Sequence, residues 1–492
     1  MPIHQLHPRP SDQAVPNGNP DPDRTPQLQL HWGWVDTFIV ILYLSSGLLM
    51  FESMQRVRFI IKALPFIVSL FMWVLVSRKL SRRDFPPGSV FLLTALAWLF
   101  MELFHPLTQY RAGFAQFVFQ LSIAAPAFWV GRFINTPAKL QRALMMIFIC
   151  NALSSTVGLM QVYDPATFKP GSYNNVQEAR HEERDRTYVA ANGAKITRPA
   201  GLTDTPGGVG PCALLTALLG LGLSARPKQK LTIRIFYASL ALMGMMVLYL
   251  TQMRALFLVS LAAMSALLFL GTRRRGTLST GWVAVSAASI ILVAFSYAVS
   301  VGGESVYNRF VGIKEEGLLE SYDTNRGRFL TTTFGELMYE YPLGAGVGRW
   351  GMMNFYFNDD NNQESPPIWS EIQFTGWLLD GGVPMWIFYG GAVLWSLLSA
   401  YRIAGRKGEG ELAFLAAVVF SMNLAAAAYS VSQLPFNTAI GLSFWLLAAG
   451  LHGADQGRVR RRYRILWRPV PGPQAELLKP VSMAHPSGVP AK

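Results

Sequence analysis

The sequence predicts an all-α, polytopic integral membrane helical bundle, and three observations carry that prediction. Hydrophobic residues make up 51% of the 492 and charged ones only 15%, against roughly 25% charged in soluble domains. Apolar runs of about 16–20 residues recur along most of the chain, long enough as helices to cross a ~30 Å hydrocarbon layer. Lys and Arg gather in alternate connections between those runs, as the positive-inside rule requires. A mean hydropathy of +0.27 excludes a disordered chain. Cys150 and Cys212 both lie in apolar segments, so no disulfide framework or cysteine-rich metal site is expected.

Taken in order, residues 1–34 read as a flexible cytoplasmic tail, polar and proline-rich, with no apolar core of a signal peptide. Candidate spans follow at 35–51, 59–76, 89–104, 114–130, 142–160, 207–224, 233–250, 254–271, 281–301, 383–401, 412–430 and 437–452, about twelve in all. One set of connections carries Arg78, Lys79, Arg82 and Arg83, then Arg132, Lys139 and Arg142, then Arg226, Lys228, Lys230 and Arg234. It continues with Arg273, Arg274 and Arg275, then Arg402, Arg406 and Lys407. With the basic tail at 453–492, this set holds most of the 43 basic residues, which places both termini in the cytoplasm. The cluster from Arg458 to Arg468 follows the last span directly, where it holds orientation and meets anionic lipid; no nucleic-acid partner is expected.

Two connections on the opposite side are long enough to carry function: 161–206 within the first nine spans (35–301), and 302–382 before the last three (383–452). In the second, Phe329, Leu330, Phe334, Leu337 and Met338 share a face at helical spacing, predicting a helix from Asp323 or Thr324 to just before Pro342. A shorter helix from Ser370 to Asp380 should close at Gly381-Gly382, with Pro384 in the first turn of the next span.

Soluble-enzyme motifs fail on inspection. His181-Glu182-Glu183-Arg184 lacks the second histidine of a zinc site, and Asp21-Pro22-Asp23 sits in the proline-rich tail. The run Gly344-Ala345-Gly346-Val347-Gly348 follows a helix rather than a strand, so it does not read as a dinucleotide loop. No metal, nucleotide or other cofactor is expected. What remains is a set of arginines on the side where orientation does not require them: Arg198, Arg254, Arg326, Arg328 and Arg349. A guanidinium offers a rigid fork of donors that matches phosphate oxygens, so these residues suit a substrate bearing a diphosphate at the membrane surface. The plainer alternative is headgroup contact or ion pairing with Glu336, Glu340 or Asp204.

Thr251-Gln252-Met253-Arg254-Ala255, Arg198-Pro199-Ala200-Gly201-Leu202 and Glu340-Tyr341-Pro342-Leu343-Gly344-Ala345-Gly346-Val347-Gly348 resemble signatures of the O-antigen ligase and polymerase superfamily. The first two match its S/T-x-x-R turn and R-x-x-G segment; the third resembles its most specific element, E-x-P-x-x-G-x-G, with one residue fewer between the proline and the first glycine. The resemblance implies a metal-independent, inverting membrane glycosyltransferase at the periplasmic face of the bacterial inner membrane. It would take glycan from undecaprenyl diphosphate and pass it to another lipid-linked glycan (polymerase) or to lipid A core (ligase). Arg254 and Arg328 then match the family arginines that contact the diphosphate, with Arg198, Arg326, Arg349 and Glu340 as further substrate-binding candidates.

The sequence departs from that pattern where the ligases carry a histidine: counting back from Gly382, the position falls on Glu371. Glu371 could accept the acceptor hydroxyl's proton, or it could merely follow a Ser370 helix cap and complement the helix dipole. The missing histidine favours polymerisation of lipid-linked repeat units into an exopolysaccharide or O-antigen-like glycan. The rival readings are a ligase for another lipid or protein acceptor and a lipid-linked glycan flippase. Chain-length regulators or export proteins would be partners, beside membrane lipids. Tyr339, Tyr341, Trp350, Tyr356, Trp369 and Trp377 could stack on sugars or anchor the membrane interface.

Overall fold

The computed structural model describes residues 33–77, 85–168, 187–189, 193, 195–226, 229–275, 277–317, 320, 322, 326–357, 366–406 and 410–466. These fall in one unit, Trp32–Lys492. The expected tail before residue 33, the His181 and Asp21 motifs and the chain beyond Leu466 lie outside the described residues.

The fold is a multi-pass helical bundle. Its helices are α1 (Trp34–Leu44), α2 (Arg58–Ser77), α3 (Ser89–Met101), α4 (Tyr110–Ala124), α5 (Pro126–Phe133), α6 (Pro137–Tyr163), α7 (Gly210–Ser224) and α8 (Leu231–Leu250). They continue as α9 (Arg254–Arg275), α10 (Thr277–Glu316), α11 (Gln373–Ala404), α12 (Gly410–Tyr429) and α13 (Ala439–Leu466). Among the described residues eight helical stretches have both the length and the apolar character to cross a membrane, α4 and α5 counting as one. Three shorter apolar helices, Trp34–Met50, Ser89–Phe104 and Gly210–Ser224, coincide with expected spans. Local chemistry explains the starts: Thr136 Oγ1 accepts from Lys139 N, with Pro137 in the first turn of α6.

Three differences from the sequence reading stand out. First, α10 does not stop near 301 but bends at Gly303 (φ 61°) and runs to Glu316, so part of the expected 302–382 loop is helix. Second, α13 continues to Leu466 instead of ending near 452. Gly453 and Gly457 let it lie directly on the backbone carbonyls of Gly131, Ile134 and Asn135, which supports the helix beyond its apolar stretch. Third, a small antiparallel hairpin, β1 (Thr187–Val189) with β2 (Lys195–Thr197), lies in the 161–206 connection, the only strands among the described residues.

Both helices expected in the second long connection have counterparts, although the expected start of the first at Asp323 or Thr324 lies outside the described residues. One is a broken helix over 326–340 that ends before Pro342, with a wide π-type turn at Thr333–Leu337. The other starts at Gln373 rather than Ser370 and joins the following span across a kink at Gly381 and Gly382. The apolar face of the loop helix packs on that kinked helix: the Phe334 ring lies 5.6 Å from Trp386, and Thr333 and Thr375 share a buried hydroxyl–hydroxyl hydrogen bond of 2.6 Å.

Candidate functional site

The segment after the loop helix is a strap laced into two neighbours. Val383 N donates to Pro342 O (2.9 Å), Ala345 N to Leu379 O (2.9 Å) and Val347 N to Thr108 Oγ1 (3.0 Å). The strap therefore joins the α11 kink to the turn before α4. Its glycines have a steric cause. Gly346 and Gly348 have φ of +91° and +84°. A Cβ on Gly346 would come within 2.7 Å of the Leu107 carbonyl carbon, and one on Gly348 would overlap the backbone of Ala112 and Gly113. The element resembling E-x-P-x-x-G-x-G is thus a backbone-on-backbone docking strap.

Arg349 closes the strap and has a use of its own. It is 5% exposed; its Nη1 donates to Ala345 O (2.7 Å), and Nε and Nη2 donate to Pro366 O (3.1 and 3.0 Å). A guanidinium so engaged ties 345–349 to 366. Burial lowers its pKa from the usual arginine range. Beside it, His105 has its pKa lowered by burial and by the Arg349 charge, and its Nδ1 accepts from Leu107 N at 3.2 Å.

Sequence reasoning missed Asp380, which is fully buried. Its Oδ1 accepts from Trp350 Nε1 (2.7 Å) and its Oδ2 from Gln116 Nε2 (2.9 Å), so it joins strap, α4 and α11 directly before the kink. The signal was present as an acid closing the apolar stretch Trp377-Leu378-Leu379-Asp380. Trp350 and Trp377 are buried and unavailable for stacking, whereas Tyr339 and Trp369 are exposed.

Glu371 stands two residues before α11 rather than inside it. Ser370 Oγ donates to Ile372 O at 3.2 Å and does not cap the helix, so the capping part of that alternative falls away. One Glu371 carboxylate oxygen accepts from Trp369 Nε1 (2.9 Å), and the other forms an ion pair with Arg326 Nη1. The two partners are 26% and 32% exposed. Arg328, on the same helix start, is exposed with its guanidinium 5.1 Å from the Phe329 ring centroid, and Glu340 is exposed beside the Tyr341 hydroxyl, whose pKa it raises.

Arg254 is the first residue of α9, after a turn in which Gln252 takes a left-handed φ of +56°. Such a conformation costs a side-chain-bearing residue roughly 1–2 kcal/mol, and strain of this kind concentrates at functional sites. Arg254 Nε donates to Arg309 O (2.6 Å) and Arg309 Nε returns to Gln252 O (3.4 Å), locking the turn to α10. α9 packs against α12, and Arg326 lies near Tyr429 at the end of α12.

Arg198 is placed by a different device. Gln161 Oε1 accepts from both Ala200 N and Gly201 N at 2.8 Å, and its Nε2 donates to Gly201 O at 2.9 Å, fixing the segment to α6. Asp204 does not pair with any of the expected arginines. It is buried and held by Arg58 Nε (2.5 Å) and Lys62 Nζ (2.9 Å), both overlooked because they open an apolar span. Burial raises its pKa, and the two cations more than reverse this to leave it lowered.

The structure thus joins Arg326 directly to Glu371, ties the Arg254 turn to α10, and leaves Arg198 at the hairpin. An apolar cleft lined by Thr333, Phe334, Met338, Leu378, Val383 and Trp386 lies between loop helix and α11 and takes in none of them. Among the described residues no group of three His, Cys, Asp or Glu could hold a metal ion. Neither a protein-family model nor any curated protein matches the chain.

Proposed function

We propose that this chain is an inverting, metal-independent glycosyltransferase that polymerises undecaprenyl-diphosphate-linked repeat units at the periplasmic face of a bacterial inner membrane, with both termini cytoplasmic. The observation that carries the reading is the half-buried pair of Glu371 with Arg326, near the Tyr429 end of α12. A carboxylate and several guanidiniums around one end of a membrane bundle match the two needs of glycan transfer from a lipid diphosphate. The acceptor hydroxyl attacks the anomeric carbon from the face opposite the carrier and gives its proton to Glu371. The bond from that carbon to the phosphate oxygen breaks, and its electron pair leaves with the diphosphate. Arg254, Arg326 and Arg328 offset the charge that develops there, and the exposed Trp369 offers a ring to a sugar face.

A transporter of lipid-linked glycan is the second reading, favoured by Asp380, since buried acids in membrane helices often serve transport. Its hydrogen bonds to Trp350 and Gln116 fit positioning of the strap better. The deciding experiment gives purified protein lipid-linked repeat units without metal or nucleotide. Lengthened glycan, lost in Arg254→Ala and strongly reduced in Glu371→Gln while donor binding persists, supports the proposal. Movement of intact units across vesicles without lengthening refutes it.

A further inference from the structure

Glu371 stands outside any helix, so its aim depends on what holds the short stretch around it. Upstream, Ile368 N donates to Arg349 O at 2.8 Å, and the Arg349 guanidinium grips Pro366 O, which ties the stretch to the strap. Downstream comes Gln373, the first residue of α11 and fully buried. Its backbone N donates to Ser430 O (3.1 Å) and Gln433 O (3.0 Å), and its side-chain Oε1 accepts from Phe436 N at 2.9 Å. The same amide donates through Nε2 to Asn437 Oδ1 (3.4 Å), an oxygen that also accepts from Gln120 Nε2 of α4 at 2.8 Å.

The partner of Glu371 is seated on the same turn. Tyr322, four residues before Arg326, donates its hydroxyl to Val431 O at 3.0 Å. The turn from Ser430 to Gln433 therefore takes a hydrogen bond from each of the two segments whose side chains form the Glu371–Arg326 pair. A helix start needs an acceptor for its first N–H groups, and the backbone of Gln373 alone meets that need. Its side chain does more: by taking up Phe436 N and Asn437 it fixes how α11 begins against the turn. A proton acceptor has to lie within hydrogen-bond reach of the proton it takes, and a 1 Å misplacement can cost about 10² in rate.

From this arrangement we infer that Gln373 is the positioning residue of Glu371: its buried amide fixes the start of α11 on the Ser430–Gln433 turn and so sets the Glu371 carboxylate against Arg326. The inference rests on the glycosyltransferase reading for the reaction that the carboxylate serves, while the placement itself does not depend on it. Gln373 is closed off from solvent and touches no substrate, so its effect on rate passes through Glu371.

The test uses the full chain in dodecyl maltoside micelles. With undecaprenyl-diphosphate-linked repeat units at saturation, Gln373→Met should lower turnover about tenfold to a hundredfold, while Kd for undecaprenyl diphosphate stays within about twofold. Gln373→Glu keeps an oxygen for Phe436 N and, protonated by burial, a donor for Asn437, so it should recover most of that rate. In a Glu371→Gln background, Gln373→Met should change the residual rate by less than about twofold, because the group it positions is already gone. A nitroxide on Ser370→Cys, in a chain with Cys150→Ala and Cys212→Ala, reads the placement without any reaction: its spectrum should be broad in the parent and narrow in Gln373→Met. Should the methionine variant not fold, Gln373→Asn, which holds the amide one methylene short of its partners, carries the same comparisons. Rate losses that multiply in the double variant, or a nitroxide spectrum left unchanged by the substitution, overturn the inference. A parent that transfers no glycan, with the nitroxide still released by Gln373→Met, leaves the placement standing and removes the glycosyltransferase reading. Transfer at the parent rate by Gln373→Met keeps that reading and removes the inference.

Discussion

Replacing Gly348 by alanine separates the two reasons a strap of this kind needs glycine. The residue has φ of +84°, where a Cβ costs roughly 1–2 kcal/mol. In addition, the new methyl would overlap backbone atoms of Ala112 and Gly113 at the start of α4, which cannot swing aside as a flexible side chain would. Forced backbone shifts of that kind cost about 1–3 kcal/mol, so Gly348→Ala should lose about 3 kcal/mol in all. Gly351 supplies the control: its φ is +72°, yet nothing lies within 4 Å of a Cβ there, so Gly351→Ala should lose only the conformational share, about 1 kcal/mol. Gly335, with open space around it and no positive φ, should tolerate alanine without loss. Reversible denaturation in micelles, followed by tryptophan fluorescence, measures all three, and the buried Trp350 lies two residues from the substituted position. If Gly348→Ala is no less stable than Gly351→Ala, the strap does not press on α4 and the steric account of its glycines is wrong.

Further consequences follow from the charged groups. Glu371→Gln should slow glycan transfer by about 10²–10⁴, the usual contribution of a positioned proton acceptor, and Arg254→Ala by at least about 10² through lost charge stabilisation; product length on gels reads both. Arg349→Met should destabilise the fold by about 1–3 kcal/mol, leaving the Ala345 and Pro366 carbonyls short of donors, while donor affinity of the folded fraction stays unchanged in equilibrium binding. Asp204 has a lowered pKa, so the stability it lends is present above the unfolded value of about 3.9 and disappears as pH falls through the folded one. Acid unfolding of Asp204→Asn should therefore lack that loss below about pH 4, and at neutral pH the variant should be about 1–2 kcal/mol less stable, a discount for the part-exposed Arg58 and Lys62.

Most of the bundle was legible because a helix in hydrocarbon must satisfy its own backbone and show an apolar surface of fixed length. What escaped was decided by close approach rather than by composition. The helix after 452 looks like a polar tail, yet it persists because Gly453 and Gly457 rest on the carbonyls that end α5. The hairpin at Thr187–Val189 and Lys195–Thr197 is too short to show a period of two, and its anchor is a tertiary hydrogen bond from Ser305.

The site divides along the same line. Arg326 and Glu371 were legible as residue types on the right connections, but their pairing depends on a loop helix folding back over α11, which no local spacing encodes. Arg349 shows the converse. As a residue type it resembles a phosphate binder, and only the carbonyls of Ala345 and Pro366, brought together by the strap, reveal that three of its five N–H donors are engaged within the fold. A cation on the loop side of a membrane bundle is therefore a binding candidate only after its backbone acceptors are counted. By that count Arg198, with a buried Nε and no partner among the described residues, is a stronger candidate than Arg349, although the sequence ranked them alike.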